Sequence, residues 1–197
     1  MRTGDEKYTD RRGRPERRAI ILTAWIDDED LYSFHSMRSR FYPKNRSAVS
    51  AHVTLFHHLP GARTSWVLEH VAEVVRDFRH KRLDAERGVA RLGVTGVFRM
   101  QRGVAYRVER DLLSDLRAPM RAYFGPHLRP QDLNPWRNPH ITVQNKVRPE
   151  DAARLERHLR ARFEPCWMRM YGVQAWRYEN GPWGLIEQFR FGEGQKA

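Results

Sequence analysis

The sequence predicts an α+β fold of two similar lobes, a pseudo-symmetric duplication of β-α-β units. Three observations predict it. Strand-like and helix-like apolar patterns alternate in each half of the 197 residues. A tetrapeptide, His followed by an apolar residue, Thr and a second apolar residue, recurs at the start of one strand pattern per half. Apolar residues make up 40% of the chain, enough for the core of a domain this long.

Taken in order, residues 1–18 hold seven basic and four acidic side chains and almost nothing to bury, so they read as a disordered basic tail. They also lack the apolar stretch of a signal peptide. Ala19–Ile26 is a continuous apolar strand. Asp28–Phe41 is a helix with acids in its first turn and bases in its last. Ala51–Leu59 is a second strand, closed by Pro60-Gly61. Ser65–Lys81 sets Val67, Val71, Val74, Val75 and Phe78 on one helical stripe, with Ser65 at the N-cap. Val89–Met100 and Val104–Val108 form a hairpin around Gln101-Arg102-Gly103. Asp111–Phe124 is a helix that Gly125-Pro126 ends, and His127–Pro139 is irregular. His140–Val147 is a strand, and Pro149–Phe163 a helix with Pro at its start. Trp167–Tyr178 and Trp183–Phe191 form a last hairpin, before a short disordered tail at 192–197. Residues 19–191 thus make up one domain.

The net charge is +12, from 36 Lys and Arg against 24 Asp and Glu, and only five of the 36 are lysine. Such a surface attracts polyanions, and guanidinium groups suit phosphate. One cysteine, Cys166, excludes an internal disulfide and any multi-cysteine metal site, and reads as a buried structural thiol. No apolar run reaches the length of a membrane span. These features predict a monomeric cytoplasmic protein with no membrane partner.

The repeated tetrapeptide carries the chemistry. It stands at His52-Val53-Thr54-Leu55 and His140-Ile141-Thr142-Val143, 88 residues apart. Composition alone supplies about 0.1 such tetrapeptides by chance. In a strand, residues i and i+2 share a face, so each His projects with its Thr while Val53, Leu55, Ile141 and Val143 face the core. Two such strands side by side present two imidazoles and two hydroxyls to one cleft. Imidazole titrates near neutral pH, so one can act as base and the other as acid. The hydroxyls can donate to phosphate oxygens as charge shifts on them.

This arrangement resembles the two-histidine phosphoesterase superfamily and its 2′-5′ RNA ligase and cyclic phosphodiesterase branch. The resemblance spans about Ala19 to Phe191. It implies a bilobal fold with two largely antiparallel sheets around a central cleft. It also implies an enzyme that opens or hydrolyses 2′,3′-cyclic phosphates, or joins RNA through 2′-5′ bonds, with no metal or other cofactor. By the resemblance His52 and His140 match the catalytic histidines, and Thr54 and Thr142 the phosphate-binding hydroxyls. Many members carry an Arg after the second motif; here the stretch is Gln144-Asn145-Lys146, which leaves Lys146 as a substitute. Where many have an apolar run after the first motif, this chain has Phe56-His57-His58.

Further candidates for lining a substrate are His57, Phe56, Tyr106, Arg107 and Trp136; Phe56 and Trp136 would stack a nucleobase. A metal held by His52, His57 and His58 lacks a nearby acid. Trp167, Trp176 and Trp183 read as packing residues. Two other functions stay open. One is a basic RNA-binding protein that keeps the fold without chemistry. The other is a hydrolase of a small non-nucleotide cyclic phosphodiester. RNA or a cyclic nucleotide is the expected substrate partner.

Overall fold

A computed structural model describes residues 17–44, 49–133, 138–179 and 181–192. Its elements are β1 (Ile20–Ile26), α1 (Asp28–Phe41), β2 (Thr54–Leu59), α2 (Thr64–Asp77), β3 (Leu83–Asp84), β4 (Val89–Met100) and β5 (Gly103–Val108) in the first part of the chain. There follow α3 (Asp111–Phe124), α4 (Pro130–Leu133), β6 (His140–Gln144), α5 (Pro149–Arg160), β7 (Cys166–Tyr178) and β8 (Trp183–Arg190). The fold is α+β with an antiparallel sheet, as the alternating patterns predict.

Local chemistry sets the boundaries. Asp27 caps α1 by accepting from the N–H groups of Glu29 and Asp30, and Asp28, Glu29 and Asp30 sit at the positive end of the helix dipole. The expected N-cap at Ser65 is not used. A 3₁₀ turn over Gly61–Arg63 leads directly into α2 at Thr64, whose hydroxyl donates to the Gly61 carbonyl at 2.6 Å. The strand expected to run to Val147 stops at Gln144, because Lys146 takes a left-handed conformation (φ 61°) that a strand cannot hold. The irregular 127–139 stretch contains the single turn α4. Cys166, expected in the core, is exposed at the start of β7, with its thiol held above the ordinary range by partial burial and the charge of Asp30.

The strands pair in the order β2-β1-β7-β4-β5-β6, with β3 beside β4 and β8 beside β7. The expected two sheets are therefore one. The path still divides into matching halves, β2-β1-β7 and β6-β5-β4, but the β4 and β7 backbones pair from Ala90↔Met170 to Val94↔Cys166 and fuse them. Gly103 lets β6 approach β5 closely, since a Cβ there would collide with the Gln144 carbonyl. The two ends of the path then meet: Val53, just before β2, bridges Ile141 of β6 in antiparallel sense. The sheet has curled until its edges touch.

One contiguous core fills the curl. Leu22, Val53, Leu55, Ile141 and Val143 from the strands meet Val67 and Val71 of α2 and Leu113 and Leu116 of α3. Helix α1 packs on β6, α5 on β4 and β5, and α2 against β7, β8 and α3. Among the described residues no helix is long and apolar enough to cross a membrane. Ile141 is fully buried where the edges meet. Its replacement by Ala should cost about 2–5 kcal/mol of unfolding free energy, read from urea denaturation.

Candidate active site

The antiparallel bridge at Val53 and Ile141 sets the register across the seam. His52 falls opposite Thr142, and Thr54 opposite His140, since neighbours of a paired residue pair in reverse order. Val53, Leu55, Ile141 and Val143 point into the core, so the two histidines and two threonines share the other face. They line one cavity of about 240 Å³ together with Ile21, His57, Met100, Asn145 and Trp183.

Each motif histidine is held in the same way. His52 Nδ1 lies 2.7 Å from the Ser50 carbonyl, and His140 Nδ1 lies 2.7 Å from the Asn138 carbonyl. A carbonyl only accepts, so each Nδ1 carries the proton and each neutral ring keeps its lone pair on Nε2. Burial lowers the proton affinity of both rings. It takes His52 down to about 4, with the Ser50 carbonyl opposing and repulsion from Arg38, and from His57 and His140 when they are protonated, adding to the fall. His140 is lowered by burial too, the Asn138 carbonyl opposing and His57 adding.

The seam is braced from behind by two buried arginines. Arg38 of α1 donates through Nε to the Val49 carbonyl (3.0 Å) and through a terminal nitrogen to the Thr142 carbonyl (2.7 Å), tying the approach to β2 to β6. Its guanidinium lies 4.1 Å from the centre of the Tyr42 ring. Arg117 of α3 donates to the Leu55 carbonyl (2.9 Å) and to the Asp132 carbonyl. Thr142 and Leu55 lie on the terminal strands β6 and β2, where each arginine also reaches a carbonyl outside the sheet, Val49 or Asp132.

The other candidates separate. His57 lines the cavity, while Phe56 is fully buried against Phe124 and below Arg117. The reason is a β-bulge. Leu22 pairs with Phe56 and Thr23 with Thr54, so Leu55 is an extra residue that shifts the alternation by one. Phe56 turns to the core and His57 to the cleft. Tyr106 is also a core residue: it packs edge-on against Phe34 and donates its hydroxyl to Met37 Sδ (3.0 Å). Arg107 is exposed beside the site, paired across strands with His140, lying over Phe98 and donating to Asn138 Oδ1 (3.0 Å). Lys146 lines an adjoining cavity of about 460 Å³, with Arg38, Tyr42, Val49, His52, Thr142, Asn145, Tyr178, Gly181 and Trp183. Trp136 lies outside the described residues. Among those residues no three His, Cys, Asp or Glu side chains are grouped to hold a metal.

Three site residues escape the sequence reading. Arg38 sits on the Leu31, Phe34, Phe41 stripe of α1, and a base on an apolar stripe is a readable sign of a buried role. Trp183 packs its ring against His52, centroids 4.6 Å apart, yet as a hairpin tryptophan it carries no local signal. Asp132 is a lone acid in a proline-rich stretch and carries none either.

The curled antiparallel sheet turns two His-Φ-Thr strands to one cavity, the arrangement expected of the two-histidine phosphoesterase superfamily. The model of the 2′-5′ RNA ligase superfamily matches residues 26–182, and the chain belongs to that superfamily. No curated protein matches the sequence. Solved structures agree on the fold. TT0787 of Thermus thermophilus is 18% identical with a TM-score of 0.57, over 90% of this chain and 100% of that one. Escherichia coli LigT in apo form is 13% identical with a TM-score of 0.58, over 89% and 98%. E. coli LigT complexed with 3′-AMP is 13% identical with a TM-score of 0.57, over 89% and 99%.

Imidazole titration by ¹⁵N NMR should find both motif rings neutral at pH 7 with the proton on Nδ1. The His52 midpoint should lie near about 4 and that of His140 below the ordinary histidine range. Saturating phosphate should raise both midpoints, because an anion favours the imidazolium. Phosphate binding should accordingly take up protons, seen as a buffer-dependent heat in calorimetry.

Proposed function

We propose that the chain is a metal-independent phosphoesterase acting on a 2′,3′-cyclic phosphate or a 2′-5′ phosphodiester of RNA or a nucleotide. The observation that carries this reading is the pair of carbonyl-held imidazoles facing one cavity with two threonine hydroxyls. Two equivalent Nε2 atoms on either side of a phosphate suit in-line displacement. One takes a proton from the attacking oxygen and the other gives a proton to the leaving oxygen.

In the hydrolytic direction water attacks the cyclic phosphorus, the bond to one ribose oxygen breaks, and that oxygen leaves with the proton of the acid histidine. Thr54 and Thr142 donate to the non-bridging oxygens as charge gathers on them. His52 is the base in this reading. Burial, with the Arg38 charge adding to it, takes the proton affinity of His52 down to about 4. The proton that the substrate anion draws into the cleft then rests on His140, the acid. Ligation follows the same path with a ribose hydroxyl attacking in place of water, and its reverse cleaves the 2′-5′ bond, the ribose hydroxyl leaving as the cyclic phosphate closes.

The adjoining cavity supports a nucleotide substrate. It opens beside His52 and Thr142 and is lined by the aromatic rings of Tyr42, Tyr178 and Trp183 and the cations Arg38 and Lys146. A base can stack there while the phosphate sits between the histidines. E. coli LigT, which shares the fold, is solved with 3′-AMP.

The test is phosphorus NMR of EDTA-treated protein with 2′,3′-cyclic nucleotides and a short RNA ending in a cyclic phosphate. Turnover should survive the chelator and follow a bell-shaped pH profile. His52→Ala and His140→Ala should each remove most of the rate, and the double variant should be little worse, because the pair acts as a unit. Thr54→Ala or Thr142→Ala should cost about 10²-fold. A protein inert toward every cyclic phosphate, yet binding RNA with a steep salt dependence, would identify a binding protein instead.

A further inference from the structure

The cleft cavity is lined, among the described residues, by nine side chains, none of them Arg or Lys. A phosphodiester anion between His52 and His140 meets no permanently cationic side chain among them: Arg38 and Lys146 line the adjoining cavity, and Arg107, across from His140, lies over Phe98 and donates to Asn138 outside that lining. The third imidazole on the cleft differs from the other two in what stands behind it. His57 Nδ1 lies 3.1 Å from Asp132 Oδ1, a carboxylate where His52 and His140 have carbonyls.

Asp132 is built in to serve this contact. It is 1% exposed, and a carboxylate is buried only when its acceptor capacity is filled. The backbone N–H of His57 donates to both its oxygens at 3.1 Å, and that of His58 donates to Oδ2 at 3.0 Å. Burial pushes its carboxyl up, and the hydrogen bonds and charge from His57 with the N–H of His58 outweigh that, so it stays ionised. Its own carbonyl takes Arg117. With Nδ1–H turned to the carboxylate, Nε2 occupies the far edge of a half-exposed ring on the cavity wall.

An imidazole that donates from both nitrogens is cationic, and a carboxylate behind it balances that charge. We propose that His57 is a phosphate-binding residue, donating Nε2–H to a non-bridging oxygen of the substrate with Asp132 fixing the ring. The proposal rests on the reading that the cleft takes a phosphodiester. His57 makes and breaks no bond in it; it supplies charge to a cavity whose described lining holds no guanidinium or ammonium group.

His57→Asn separates the two ring nitrogens, because the amide keeps a donor toward Asp132 and removes Nε2. Inorganic phosphate should bind it about 10–100-fold more weakly by calorimetry, the range of one charge-assisted hydrogen bond. KM for a 2′,3′-cyclic nucleotide should rise by a similar factor, exceeding any fall in kcat. His57→Gln, which returns a neutral donor near the Nε2 position, should recover part of the affinity. Unchanged phosphate affinity in His57→Asn, or a fall in kcat at constant KM, overturns the proposal. If that variant does not fold, the His57 Nε2 resonance of the wild-type protein decides: phosphate should shift it, and no shift overturns the proposal. Phosphate binding that depends on His57 in a protein that hydrolyses no cyclic phosphate supports the anchor and overturns the phosphodiesterase reading alone.

Discussion

The site depends on one contact, the antiparallel bridge between Val53 and Ile141 that joins the two ends of the strand path. Its sense follows from the path itself. Five antiparallel pairings lead from β2 to β6, an odd number, so the terminal strands run in opposite directions. Two antiparallel strands bearing the same tetrapeptide meet about a local twofold axis. Each histidine is thereby set opposite the other strand's threonine. The motif needs no long-range instruction beyond the curl of the sheet, and the apolar residues between the polar ones, Val53, Leu55, Ile141 and Val143, supply the burial that holds the curl.

Meeting edge to edge creates a polar problem, because strands at a sheet edge have carbonyls without ladder partners. Arginine solves it here. Arg38 satisfies the carbonyls of Val49 and Thr142, and Arg117 those of Leu55 and Asp132. A guanidinium reaches two carbonyls from one helix position, which a neutral side chain of that length cannot do. The cost is buried positive charge close to the cleft. The Arg38 charge adds to the fall in proton affinity that burial imposes on His52. In Arg38, structural support and electrostatic influence on His52 are one side chain.

How much of this is legible in the sequence follows from the range of each interaction. The two motifs, the core residues between them and the strand and helix order depend on spacings of two to four residues, and these are written locally. Phe56 misleads because simple alternation runs on through Thr54, while the pairing of β1 with β2 inserts Leu55 as a bulge. That insertion belongs to a partner strand some thirty residues away, and nothing in Leu55-Phe56-His57 announces it. Tyr106 misleads for a related reason: its face is set by α1, which packs Phe34 and Met37 over it. Two lobes are legible in the repeat, but their fusion into one sheet depends on the pairing of β4 with β7, whose sequences resemble neither motif. Asp132 and Trp183 reach the cleft from 74 or more residues away along the chain, and only the closed sheet brings them there.

The backbone of the seam is close to symmetric, and its surroundings are not. Both imidazoles give Nδ1 to the carbonyl two residues upstream at 2.7 Å. A symmetric pair would be interchangeable as acid and base, and the direction of proton flow would be undefined. The asymmetry enters from outside the motifs. Arg38 stands near His52, Trp183 packs tilted against that ring, and Phe98 meets His140 edge-on. His57 and Asp132 are supplied by β2 and the turn α4, and β6 has no counterpart, since Gln144-Asn145-Lys146 follows its motif. In the proposed reaction a duplicated strand pair provides the two proton-transfer groups. The unduplicated neighbours give each group its own proton affinity, which a one-way transfer of protons across a phosphate requires.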